Sequence, residues 1–144
     1  MEGTEVAIES SPNGRYKKLN VLLGKGAYKV VYKGIDTDEG IEVAWNVCHV
    51  GNKKEDYTEL SQEIEILKKV KHPNIIQFHD CWFQNTEFII ITELMTSGTL
   101  REYIKKLQTP NLKIVKRWAR QILKGLAYLH YHNPPIIHRD IKVN

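Results

Sequence analysis

Short strand-like segments punctuated by glycines and turns occupy most of the chain up to residue 94, and apolar residues recur every three to four residues beyond it, a pattern of strands followed by helices. Tyr16 to Leu23 predicts a strand broken by Gly24 and Gly26, and Lys29 to Ile35 predicts a second. The turn Asp36-Thr37-Asp38-Glu39-Gly40 joins it to a third, Ile41 to Cys48. Leu60, Ile64 and Leu67 at i, i+4 and i+7 predict a helix over 55–70, ended by His72-Pro73 because the residue before proline disfavours helix. Ile75 to Trp82 and Glu87 to Thr92 predict two more strands around Gln84-Asn85-Thr86. A linker, Met95 to Gly98, leads to a short helix over 99–107 and, after Thr109-Pro110, to a longer one over 112–130. The longer helix carries one stripe of Ile114, Trp118, Ile122, Leu126 and Leu129. Asn133-Pro134-Pro135 stops it, and Ile136-Ile137 leads into His138-Arg139-Asp140. Residues 1–14 lack any apolar period and read as a flexible leader. Five strands with one inserted helix, then helices alone, predict an α+β fold of two lobes on a single linker.

Composition narrows the class. The chain has 144 residues, 42% hydrophobic and 26% charged, which gives room for one globular domain with a real core. The net charge of +4 is modest and the lysines are dispersed; the tightest group, Lys68, Lys69 and Lys71, ends a predicted helix, where cations complement the helix dipole. Nucleic acid is therefore not an expected partner. Cys48 and Cys81 are the two cysteines, without metal-ligand spacing, so no metal site is expected from the residues present. Lone thiols with no signal peptide suit a reducing, cytoplasmic location. The longest apolar run, around Phe88 to Ile91, is too short to span a bilayer, so membrane insertion is not expected.

Several segments carry candidate chemistry. Leu23-Gly24-Lys25-Gly26-Ala27-Tyr28-Lys29-Val30-Val31 sets two glycines between strands, where backbone N–H groups approach phosphate with no side chain in the way. The glycines alone fit a structural hairpin equally well. Lys29, Val31 and Lys33 share one face of their strand, and Ala44 and Asn46 share one face of the next, Glu42-Val43-Ala44-Trp45-Asn46. Paired strands lie ~4.8 Å apart and a lysine stem is about that long, so a Lys29 ammonium reaches the space beside Asn46. Asn46 itself is uncharged and cannot neutralise phosphate. Glu63 falls on the border of the apolar helix stripe, beside the sheet. Ile89-Ile90-Ile91-Thr92-Glu93-Leu94-Met95-Thr96-Ser97-Gly98 is a β-branched strand running into a glycine-containing linker, and Ile137-His138-Arg139-Asp140-Ile141-Lys142 follows an amphipathic helix.

Together these segments resemble the With-No-Lysine protein kinases over about residues 16–144. Asn46 stands where protein kinases carry the third-strand lysine, Lys29 stands at the third glycine of the glycine loop, and Thr92 to Leu100 adds to the match. The resemblance implies a protein kinase-like fold: a small N-lobe over 15–92 with a five-stranded antiparallel sheet and one αC helix, a hinge over 93–98, and the first helices of a helical C-lobe over 99–144. It implies ATP-dependent phosphoryl transfer to serine and threonine hydroxyls, with Mg2+ accompanying ATP. Lys29 would grip the phosphates and Glu63 would pair with it. Asp140 would accept the substrate hydroxyl proton, and Lys142 would help neutralise the transferred phosphoryl group. Leu23, Gly24, Gly26, Val31, Ala44, Thr92 as gatekeeper, Glu93 and Met95 would form the rest of the ATP site. Phe78 and Ile90 match one wall of an apolar chloride pocket. The family's protein substrates are downstream kinases, in osmotic and ion signalling. The chain stops at Asn144, four residues past Asp140, before the position of the magnesium-binding asparagine, so it is expected to be a fragment, inactive alone. The alternatives are a pseudokinase and a truncated regulatory or interaction module; the joint presence of Lys29, Glu63, Asp140 and Lys142 opposes a decayed site.

Overall fold

In the computed structural model, which describes residues 3–27, 29–49 and 54–132, the strand-like segments pair into one antiparallel sheet. The described residues fall into two compact units, one up to residue 69 and again over 77–94, the other over 70–76 and from 95 onward. In the first unit the strands are β1 (Ala7–Ser10), β2 (Tyr16–Lys25), β3 (Lys29–Asp36), β4 (Ile41–His49), β5 (Phe78–Gln84) and β6 (Glu87–Glu93). One helix, α1 (Lys54–Lys69), falls between β4 and β5 in sequence. The strand order is β1-β2-β3-β4-β6-β5, with every neighbouring pair antiparallel.

Alternation decides which side of this sheet becomes core. Val43, Trp45 and Val47 of β4 and Ile89 and Ile91 of β6 point one way and are buried together with Tyr16, while Tyr32 and Trp82 pack against them. Each fully buried large apolar side chain contributes roughly 1.5–3 kcal/mol, so this inner face dominates the unit's stability. Trp82 meets Trp45 edge-on, with ring centroids 5.1 Å apart, and stacks on Tyr16 at 6.4 Å. Tyr16 and Trp82 belong to β2 and β5, which share no ladder, so the sheet must curl to bring them together. The two ends of the strand order also meet, because Gln84 Nε2 of β5 donates to Glu9 Oε1 of β1. Glu9 is further held by Lys18 at 2.7 Å, and the Lys18 ammonium lies 4.7 Å from the Tyr32 ring centroid.

Six strands are present among the described residues, where five were expected. The additional strand, β1, lies in the stretch read as a flexible leader. It is an edge strand with Val6 and Ile8 about half exposed, so it needs no apolar alternation and leaves no period in the sequence. Its anchors are polar: the Asn20 amide N–H donates to the Val6 carbonyl at 3.0 Å, and Val6 N–H donates to Asn20 Oδ1 at 2.9 Å. The strand expected from Ile75 starts only at Phe78, since Ile75 N–H is taken by the His72 carbonyl in a turn. The β3–β4 turn is pinned by Asp36, which is buried, accepts two hydrogen bonds from Arg15 at 2.9 and 2.8 Å, and also accepts from the Asp38 and Glu39 amides.

In the second unit α2 (Leu100–Leu107) and α3 (Leu112–His130) each start on a capping side chain. Thr99 Oγ1 accepts from Glu102 N–H at 3.1 Å, and Asn111 Oδ1 accepts from Lys113 N–H at 2.8 Å. Tyr103 of α2 packs edge-on against Trp118 of α3. Gly125 lets α3 approach the 70–76 loop closely: a Cβ there would sit 3.2 Å from the Asn74 carbonyl oxygen. One turn along, Tyr128 Oη accepts from Lys71 N–H at 3.1 Å. Among the described residues no helix is long and apolar enough to cross a membrane.

Candidate functional site

With the inner face of the sheet filled by Trp45, Ile89 and Ile91, the alternate side chains of β3, β4 and β6 share the other face. The ladder register sets them in rows. Val31 lies opposite Asn46 and Asn46 opposite Ile90; Lys29 lies opposite Cys48 and Cys48 opposite Phe88; Lys33 lies opposite Ala44 and Ala44 opposite Thr92. Directly opposed residues of an antiparallel pair project to the same side, so Lys29, Val31, Ala44, Asn46, Ile90 and Thr92 line one surface. Phe78 pairs with Thr92 across β5 and β6, which puts it on that surface one row from Ile90.

Lys29 and Lys33 flank Val31, yet they differ in availability. Lys33 donates to Glu5 at 2.8 Å and pairs with Glu42 at 3.1 Å, and these two carboxylates raise its pKa. Lys29 is exposed and has no ion-pair partner among the described residues. Its nearest titratable neighbour across the ladder is Cys48, whose thiol pKa is raised by burial, an effect the Lys29 charge opposes.

Asn46 does something its sequence position did not reveal. Its side chain is buried and turned toward β6, where Nδ2 donates to the Ile90 carbonyl at 3.0 Å and to Thr92 Oγ1 at 3.1 Å. A residue that elsewhere would extend a cation instead straps two strands together beside Thr92. No local signal marks this role, because it depends on the β4–β6 pairing, which brings Asn46 to residues 44 and 46 positions away.

The glycine loop forms a tight turn in which Gly26 N–H donates to the Lys29 carbonyl at 2.7 Å. Gly24 faces Val31, and a Cβ at Gly24 would meet no described residue within 4 Å, so the space above it is open among the described residues. Leu23 beside it is exposed. At the far end of β6, Glu93 N–H is engaged by the Gln77 carbonyl at 2.8 Å, while the Glu93 carbonyl takes a long 3.4 Å contact from Thr92 Oγ1. Met95 is largely exposed.

The structure does not bring Glu63 and Lys29 into an ion pair. On α1 it is Ile64 that turns into the unit and is buried, and Glu63, one residue earlier on the helix, is left exposed. The helix meets the sheet at β5, where Lys68 pairs with Glu65 at 3.2 Å and feels the charges of Cys81 and Asp80. Asp140 and Lys142 lie outside the described residues. Among the described residues no group of three or more His, Cys, Asp and Glu is placed to hold a metal.

The family model described as the protein kinase domain matches residues 16–144. Over 143 residues the chain is 64% identical to the serine/threonine-protein kinase pkpA of Phycomyces blakesleeanus, covering 99% of this chain and 23% of that protein. It is 44% identical to the serine/threonine-protein kinase WNK of Caenorhabditis elegans, over 98% of this chain and 8% of that protein. It is 46% identical to the serine/threonine-protein kinase WNK3 of Mus musculus, over 94% of this chain and 8% of that protein. The chain thus spans less than a quarter of the length of these relatives.

Proposed function

The chain belongs to the protein kinase domain family, and from that premise we propose that it is the nucleotide-binding portion of a With-No-Lysine serine/threonine kinase in which Lys29 grips the ATP phosphates. The observation that carries this reading is the contrast on one sheet face. The side chain at the usual lysine position, Asn46, is spent on β6, while Lys29, one row away, is exposed and unpaired among the described residues. The space over Gly24, open among the described residues, leaves room for the phosphates to approach the loop backbone. Val31, Ala44 and Leu23 supply apolar contact for adenine, Thr92 limits the depth of its site, and the Glu93 carbonyl and the Met95 backbone are its hydrogen-bonding partners.

In the reaction the substrate serine or threonine oxygen bonds to the γ-phosphorus as the bond to the β,γ-bridging oxygen breaks, and ADP departs. Asp140 takes the hydroxyl proton, and Lys142 offsets charge on the transferred group. Magnesium accompanies ATP in this chemistry and neutralises its phosphates. In this reading the part of the described residues is to bind and orient the nucleotide. The substrates are downstream kinases, the setting is cytoplasmic osmotic and ion signalling, and Phe78 and Ile90 form part of a chloride-responsive apolar wall.

The exposure of Glu63 favours one competing reading, a binding module that holds nucleotide without transfer. A fluorescent ATP analogue titrated into the chain tests the proposal: binding that weakens on Lys29→Met but persists on Asn46→Ala is expected. Equal binding by parent and Lys29→Met overturns the Lys29 assignment. Phosphoryl transfer in the longer kinase then separates an enzyme from a binding module.

A further inference from the structure

The cations of α3, scattered in sequence, gather on one side of the helix. Lys113, Arg117, Arg120 and Lys124 recur at i, i+4, i+7 and i+11, and Lys116 lies beside them. All five are exposed, and none is ion-paired with another described residue. A merely solvated helix face mixes both signs. Here α3 contains no Asp or Glu at all, and residues 95–132 hold eight Lys and Arg against a single acid, Glu102. Two apolar side chains border the same side, Leu112 at 65% and Leu123 at 62% exposure. At its C-terminal end the stripe runs into a cavity of about 390 Å³ lined by His72, Lys124, Ala127, Tyr128, Tyr131 and His132.

We propose that this side of α3 is a docking surface for an acidic peptide segment of a protein partner, its carboxylates along the cations and one apolar or aromatic side chain in the cavity. Lys113 and Lys124 are ~16 Å apart along the helix axis, which an extended peptide of about five residues covers. Charge complementarity fixes the sign of the partner, and the exposed leucines and the aromatic-walled cavity supply the apolar contact that separates docking from diffuse attraction. A membrane surface fits less well. The apolar stripe that an interfacial helix inserts is partly taken up within this unit, with Trp118 against Tyr103 and Gly125 against Asn74, although Ile122 stays 44% exposed. Nucleic acid fits less well too, since the tyrosines on this side, Tyr128 and Tyr131, sit together at the cavity and are not interleaved with the cations, where successive bases would stack.

Fluorescence anisotropy on the full chain tests the proposal, with a fluorescein-labelled Glu-Glu-Glu-Glu-Glu-Phe peptide and its reversed sequence as probes. Phosphatidylserine vesicles and single-stranded poly(U) serve as competitors. Saturable binding of one peptide is expected, weakened about tenfold or more by Arg117→Glu with Arg120→Glu and by raising salt to ~0.5 M. If circular dichroism finds the reversed-charge variant unfolded, Arg117→Gln with Arg120→Gln gives a smaller loss in the same direction. The proposal is overturned by no binding of either peptide, by binding to the folded variants as tight as to the parent, or by tighter binding of vesicles or poly(U) through the same residues. An all-glutamate peptide binding as tightly as the phenylalanine-bearing one overturns the part given to the cavity.

Discussion

Asn46→Ala and Lys29→Met should separate stability from nucleotide binding. Asn46→Ala removes the two hydrogen bonds that cross to β6, to the Ile90 carbonyl at 3.0 Å and to Thr92 Oγ1 at 3.1 Å, besides a longer 3.4 Å one to the Ala44 carbonyl of its own strand. Asn46 is 6% exposed, so water does not freely take over those partners. At about 0.5–1.5 kcal/mol net for each crossing bond, the variant loses roughly 1–3 kcal/mol. For a unit of this size that lowers Tm by about 5–15 °C. Lys29 is exposed and unpaired among the described residues, so Lys29→Met changes stability by no more than about 0.5 kcal/mol while removing the proposed phosphate contact. Thermal melts followed by circular dichroism read the first effect, and titration with a fluorescent ATP analogue at a temperature where both variants are folded reads the second. An Asn46→Ala variant that melts within about 1 °C of the parent would refute the strap between β4 and β6.

Acid should loosen the β3–β4 turn. The Arg15 guanidinium, with the Asp38 and Glu39 amides, lowers the Asp36 pKa from 3.8 to about 2. A carboxylate held below its unfolded value stabilises the fold above that value and loses the contribution as pH falls through the folded one. About 2 kcal/mol should therefore disappear between roughly pH 4 and pH 2. Asp36→Asn should flatten that segment of the stability–pH curve; an unchanged curve in urea melts would contradict the role of Asp36. Glu9→Ala breaks the contact with Gln84 and the 2.7 Å pair with Lys18, at about 1–2 kcal/mol. Amide hydrogen exchange should then quicken in β1 and β5 together, and quickening confined to β1 would show that Glu9 does not link the sheet's two ends.

Much of the fold was legible because its signals are local. β-branched and aromatic residues bounded by turn residues mark 29–36 and 41–49 as strands, whose side chains alternate between faces, and α3 has the extent its stripe predicts because Asn111 caps it where the period begins. The same alternation placed Lys29, Val31, Ala44 and Asn46 on a common face before any register was known. What was illegible depends on distant partners. β1 is held by Asn20, Lys18 and Gln84 rather than by apolar burial, so nothing in its own residues marks it. Asn46 reads as a lost lysine until β6 lies beside it. Glu63 sits at the edge of the helix stripe, and only the burial of Ile64 decides that it faces solvent. The basic side of α3 looks dispersed along the chain and becomes a stripe only when wound at 3.6 residues per turn.

The central claim is that Lys29 does the work usually given to the third-strand lysine. Single-turnover transfer from γ-labelled ATP to a serine/threonine substrate, in a polypeptide extending this chain to the full kinase domain, tests it most directly. Lys29→Met should slow transfer by about a hundredfold or more, and folded Asn46→Ala should stay within about tenfold of the parent. Transfer by Lys29→Met at the parent rate, or its loss on Asn46→Ala alone, would contradict the account.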